Sequence, residues 1–203
     1  MTSGVRNTLF GIAAFIAVIL GLFTANVIMP RPLSQEEARQ LGFYRFDKPR
    51  QISDFTLSDH TGVSVGLGDL RGRWSLVFFG FTTCPDVCPT TLSVLAEATR
   101  DLQDPPQVIM VSVDPERDTP EKLASYVPAF NPAFRGFSGS FDETVALAEQ
   151  LNVAFGKVPG EQPGTYVVDH TASLVLIDPE ARYAGFLKSP HNAQNIQKIL
   201  TSL

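Results

Sequence analysis

Trp74-Ser75-Leu76-Val77-Phe78-Phe79-Gly80-Phe81-Thr82-Thr83-Cys84-Pro85-Asp86-Val87-Cys88-Pro89 sets the reading of this chain. Residues 74–80 are too continuously apolar for a half-exposed strand, so they are predicted to be a central strand of a sheet covered on both faces. The stretch that follows holds the only two cysteines of the 203 residues, and prolines flank them. Those prolines favour an exposed loop over a pair of core hydrophobes. A buried strand running into a loop that opens a helix places both sulfurs at a helix N-terminus, where unpaired N–H groups and the macrodipole favour thiolate over thiol. Such a pair can cycle through a disulfide or hold a soft metal.

Outward from this stretch, Thr91 to Leu102 has Leu92, Leu95, Ala96 and Thr99 at helical spacing. Val108 to Val113 reads as a second buried strand, and Thr119-Pro120 as the start of a helix reaching about Phe130. Another helix is expected from Asp142 to about Asn152, with Val145, Ala148 and Leu151 on one face. Thr171 to Ile177 and Tyr183 to Leu187 read as a hairpin across Asp178-Pro179-Glu180, and Ser189-Pro190 as the cap of a last helix. Before the opening stretch, Phe55-Thr56-Leu57 and Val63-Ser64-Val65 form a strand, turn, strand pattern around Gly62. The order is that of a thioredoxin-like α/β fold with an inserted segment, and ligands of open α/β sheets sit at the carboxyl ends of strands, where the cysteines are.

From Thr8 to Met29 no residue is charged, and as a helix this run would reach roughly 33 Å, enough to span a bilayer core. The reading is a single transmembrane anchor over 8–29, behind a short flank over 1–7. A cleaved signal peptide competes, but its apolar region is normally shorter and no clear small-x-small cleavage site follows. Arg6 on one side and Arg31 and Arg39 on the other leave orientation undecided by charge. A short flank, one span and a large domain commonly leave the domain outside the cytoplasm, where cysteines can pair. Residues 30–50, polar with scattered prolines, read as a linker, and 51–203 as the folded domain. A net charge of −5 with scattered basic residues argues against a nucleic-acid partner.

Cys84 and Cys88 are three residues apart in their intervening sequence, one more than in thioredoxin-type dithiols. At i, i+4 both sulfurs can face one open point with room for an ion, while a disulfide stays within reach. His170, in Tyr166-Val167-Val168-Asp169-His170-Thr171, takes the place where thioredoxin-like proteins normally carry a proline against the cysteine loop. Two thiolates and an imidazole suit copper in either oxidation state, or zinc. Asp169 is a candidate partner for the imidazole, although neighbours on a strand point to opposite faces. Asp86 reads equally as a group tuning the thiolates and as a turn residue. Asp114 and Asp118 read as structural, capping the helix and closing the turn, and His60 and His191 as solvated surface histidines.

Cys84-Pro85-Asp86-Val87-Cys88-Pro89, Val113-Asp114-Pro115-Glu116-Arg117-Asp118-Thr119-Pro120, and Val168-Asp169-His170-Thr171 before Leu176-Ile177-Asp178-Pro179 occur in one order behind one anchor. In these motifs, over roughly Phe55 to the C-terminus, the chain resembles the Sco/SenC family of membrane-anchored copper chaperones, which assist assembly of the dinuclear copper centre of cytochrome c oxidase. The resemblance implies that Cys84, Cys88 and His170 bind a copper ion. It also implies a copper donor protein and the copper-bearing oxidase subunit as partners. The location it implies is the inner membrane, single-pass, with the domain in the periplasm or, in a mitochondrion, the intermembrane space. The family divides between copper delivery, which is not enzymatic, and thiol–disulfide reduction that would use Cys84 and Cys88 as the reacting pair.

Overall fold

A computed structural model of the chain describes residues 2–28, 32–160 and 165–203. Two compact units appear, Met1–Pro32 with Ser202–Leu203, and Leu33–Thr201. In the first, α1 (Ser3–Ile28) is a candidate membrane span over Ser3–Thr24, with a mean hydropathy of 2.1. The expected anchor end at Met29 and the first linker residues, Pro30 and Arg31, lie outside the described residues.

The second unit is built on an eight-stranded mixed sheet. Its elements in chain order are α2 (Gln35–Gln40), β1 (Phe43–Gln51), β2 (Thr56–Asp59), β3 (Ser64–Gly66), β4 (Ser75–Gly80), α3 (Val87–Thr99), β5 (Gln107–Ser112), α4 (Pro120–Tyr126), β6 (Arg135–Ser138), α5 (Phe141–Gln150), β7 (Phe155–Pro159), β8 (Tyr166–His170), β9 (Leu174–Ile177), β10 (Arg182–Leu187) and α6 (Ala193–Leu200). The strand order is β1-β10-β9-β4-β5-β6-β2-β3, with β7 and β8 forming a separate two-stranded sheet. At the centre β4 pairs in parallel with β5 and antiparallel with β9. Every residue of β4 and β5 is buried, which is what a central strand covered on both faces requires. Parallel β4-α3-β5 followed by the β9-β10 hairpin and α6 is the thioredoxin-like arrangement predicted from the element order.

Residues 32–50, expected as part of a linker, are not one. Ser34 opens α2 with a capping box, its hydroxyl accepting from the Glu37 N–H while the Glu37 side chain accepts from the Ser34 N–H, and Gly42 at φ 83° ends the helix in the left-handed region. The chain then runs as β1 along β10, pairing Phe43 with Leu187 and Gln51 with Arg182. The folded unit therefore begins near Leu33, not at residue 51. Charge and Pro49 suit a tether. They are also what an edge strand carries to discourage further pairing.

The cysteine helix starts at Val87 rather than Thr91, and Pro89 fits because first-turn residues need no N–H donor to the helix ladder. α3 buries Cys88, Thr91, Leu92, Leu95 and Ala98 and packs against α6. α4 is shorter than expected and is capped by Thr119, whose side chain accepts from the Lys122 N–H. α6 starts at Ala193 under an Asn192 cap, not at Ser189. Of the expected strand over 171–177 only Leu174–Ile177 pairs, and β6, β7 and β8 are additions to the predicted set.

Candidate metal centre

β4 carries the chain to the centre of the sheet and releases it at Gly80, and the cysteine loop leaves from that carboxyl end. A Cβ at Gly80 would stand 2.6 Å from Cε1 of Phe78 and 3.1 Å from Sγ of Cys88, so only glycine lets the buried thiol pack this close to the strand end. Cys84 is half-buried and Cys88 fully buried, and both are free thiols. The Cys88 N–H donates to Sγ of Cys84 across 3.3 Å, one of the helix-terminal donors the sequence pattern implies. Burial outweighs that favourable field at Cys88 itself. Desolvation, and then the hydrogen bond shared with Cys84, push the Cys88 thiol well above its ordinary range.

His170 reaches the cysteines from the end of β8, where it pairs across the ladder with Phe155. Its Nε2 lies 3.5 Å from Sγ of Cys88, and the three ligand atoms of Cys84, Cys88 and His170 lie within 4.8 Å of one another. Two ligand atoms bound at about 2.3 Å to one ion can stand at most about 4.6 Å apart, so a small side-chain rotation would let all three share an ion. Nδ1 lies 3.3 Å from the Thr171 carbonyl, which can only accept, so Nδ1 carries the proton and Nε2 turns its lone pair toward the sulfurs. Burial lowers the imidazole pKa, against smaller opposing effects of the Thr171 bond and the Asp169 charge, and keeps the ring neutral at pH 7. Phe78 and Phe81 close on the ring edge to face, each with centroids at 5.8 Å.

The other residues singled out in the sequence fall as follows. Asp169 is exposed, and the imidazole N–H goes to Thr171 rather than to it. Asp86 is exposed and accepts from the Thr90 hydroxyl at 3.4 Å, which fits a turn residue. His60 and His191 are half-buried and hydrogen-bonded rather than solvated: Nδ1 of His60 accepts from the Gly136 N–H at 3.0 Å, and Nε2 of His191 bonds the Ala172 carbonyl at 2.8 Å. That second bond props the loop next to His170. Asp118 does not cap a helix. It is buried and accepts from the N–H and hydroxyl of Thr82 and from the hydroxyl of Ser112.

Tyr166 was missed as a site residue. Its hydroxyl donates to the buried Asp114 at 2.8 Å, and the Arg117 guanidinium, ion-paired with Asp114, lies 4.1 Å over its ring.

Residues 45–203 match the SCO1/SenC family. The bovine protein SCO2 homolog, mitochondrial, is 34% identical over 148 residues, which cover 70% of this chain and 56% of that protein. This chain thus spans little more than half the length of that relative. Among solved structures, ScoI of Arabidopsis thaliana with copper bound superposes with a TM-score of 0.69 at 32% identity, over 73% of this chain and 94% of that one. ScoI of Bradyrhizobium japonicum with copper bound gives 0.67 at 35% identity, over 74% and 98%. With the cysteine loop, the histidine hairpin and the sheet that joins them all inside the matched region, the chain belongs to the SCO1/SenC family.

Proposed function

We propose that this chain is a membrane-held copper carrier: reduced Cys84 and Cys88, with His170, take up one copper ion from a donor protein and pass it to the copper-bearing subunit of cytochrome c oxidase. The observation that carries this reading is the convergence of three ligand atoms within 4.8 Å from elements far apart in the chain. The donor set suits the cargo, since soft thiolates favour Cu(I) and the imidazole helps hold Cu(II). The copper-bound relatives support the choice of metal. Half-exposed Cys84 offers an incoming partner thiolate a side to approach, while Cys88 and His170 still hold the ion. The apolar helix over Ser3–Thr24 supports a single-pass placement in the inner membrane, with the folded unit in the periplasm or the intermembrane space.

The test is metal analysis of the reduced full chain in detergent, with copper added and excess removed. One copper per chain is expected, with loss of stoichiometric binding in Cys84→Ala, Cys88→Ala and His170→Ala. A His170→Ala protein that binds copper as tightly as the parent removes the histidine from the ligand set.

A second reading is favoured by the Cys88 N–H aimed at Sγ of Cys84: a thiol–disulfide reductase that keeps the cysteines of the oxidase copper site reduced. There Cys84 is the attacking sulfur and Cys88 resolves the mixed disulfide. A dithiol that exchanges with an oxidase peptide at the same rate with and without copper, at a potential suited to reduce it, favours this second reading.

A further inference from the structure

The two halves of the centre come from different parts of the fold, the cysteines from the end of β4 and the histidine from the β7-β8 hairpin. Among the described residues that hairpin is outside the main sheet and has no ladder to it. Something else must hold its spacing from the cysteines. The loop after β5 touches both.

On the cysteine side, both carboxyl oxygens of Asp118 accept from the Thr82 N–H at 3.1 Å, and one accepts from the Thr82 hydroxyl at 2.6 Å. Thr82 is two residues before Cys84. On the histidine side, Asp114 accepts from the Tyr166 hydroxyl at 2.8 Å and pairs with Arg117, whose Nη1 donates to the Tyr166 carbonyl at 3.3 Å. The Arg117 guanidinium also lies 5.9 Å over Phe81, the ring that walls His170. The two anchors are tied to each other: the Ser112 hydroxyl donates to Asp118 and accepts from the Asp114 N–H, and the Asp118 N–H donates to the Asp114 carbonyl. Asp114 and Asp118 are 0% and 1% exposed. A carboxyl group buried this completely persists only where its oxygens are matched; Ser112 and Arg117 match them from within the loop and its strand, and Thr82 and Tyr166 match them from the two halves of the centre.

We propose that the Val113–Thr119 loop is a clamp that sets the distance between the cysteine pair and His170, with Asp118 gripping Thr82 and Asp114 with Arg117 gripping Tyr166. The inference rests on the copper reading and deepens it. The clamp residues are positioning residues that touch no metal. They determine how well the imidazole joins the sulfurs, and so weigh Cu(II), which depends more on a well-placed nitrogen, against Cu(I), which draws most of its affinity from the soft thiolates.

Tyr166→Phe keeps the ring and its cation contacts and removes only the hydroxyl. In the full chain in detergent, Cu(II) affinity should fall about 10- to 100-fold, the range typical of groups that orient metal ligands, with a changed Cu(II)-thiolate absorption and electron paramagnetic resonance spectrum. Cu(I) affinity, measured by competition, should stay within about threefold, because the thiolates are untouched. Thr82→Val should weaken both oxidation states, and Thr82→Ser should restore them. Equal losses for Cu(I) and Cu(II) in Tyr166→Phe, or an unchanged Cu(II) spectrum, would overturn the clamp. Amide exchange in the metal-free chain separates this from the copper reading. Tyr166→Phe should speed exchange in residues 166–170 and leave β4 and β5 as they are, and an unchanged hairpin would also overturn the clamp. A parent chain that takes up no copper overturns the copper reading alone, and the exchange result then decides the clamp.

Discussion

Gly80 is where the sheet and the chemistry meet. Because its missing side chain is the space in which Phe78 and the Cys88 sulfur meet, Gly80→Ala must displace the phenyl ring, the thiol, or both. Overpacking of a dense core costs about 1–3 kcal/mol, and no open side exists here to absorb it, since Phe78 and Cys88 are both 0% exposed. The expected outcome is a lower urea midpoint with an unchanged slope, together with an altered Cu(II) absorption. A variant with lowered stability and the parent's spectrum would show that Phe78 moves and the thiol does not. The ligands themselves were legible as residues, because cysteine and histidine announce their chemistry by type. Thr82, Asp118 and Tyr166 were not. Their contacts join positions 36 and 52 residues apart, and a threonine, an aspartate and a tyrosine say nothing of such a partner until the fold brings it close.

At the scale of elements, β1 gives the sharpest contrast with a tether. Phe43 is buried, Tyr44 stacks on Phe186 at 5.2 Å, and Phe46 meets Tyr183 edge to face at 4.8 Å, with Arg50 over both rings of that second pair. Burying one phenylalanine contributes about 1.5–3 kcal/mol, and each aromatic pair about 0.5–1.5 kcal/mol more. A chain beginning at Ile52 should therefore lose several kcal/mol relative to one beginning at Leu33, and should aggregate through the uncovered edge of β10. Urea denaturation and light scattering of the two chains check this; equal midpoints would mean that residues 33–51 are a tether after all. The central strands were readable because full burial imposes an unbroken apolar run. The β7-β8 hairpin was not, since it is two-stranded and largely exposed, with Val158 opposite Val167 and both 43–49% accessible, so no face of it is selected to be consistently apolar.

For the molecule as a whole, the separation into an apolar helix and a globular unit bears on where the centre works. The chain carries a net charge of −5, so the globular unit has no general attraction for an anionic membrane surface, and basic residues are too scattered to make a patch. Any membrane retention must then come from the candidate span over Ser3–Thr24, whose one charged residue, Arg6, lies close to its start and can reach the interface. Two outcomes follow from the physics of insertion. If the helix stays as an anchor, the chain should remain with the membrane through washes in high salt and alkaline carbonate. Its mass should include residues 3–24, and, on the proposed placement, added protease should digest the globular unit from the outer face only. Deleting residues 2–28 should release the whole population into the soluble fraction at low salt, because nothing electrostatic is left to hold it. A shortened mass in the soluble fraction would instead identify the helix as a cleaved signal, and the proposed delivery to a membrane-bound oxidase would then have to proceed by diffusion.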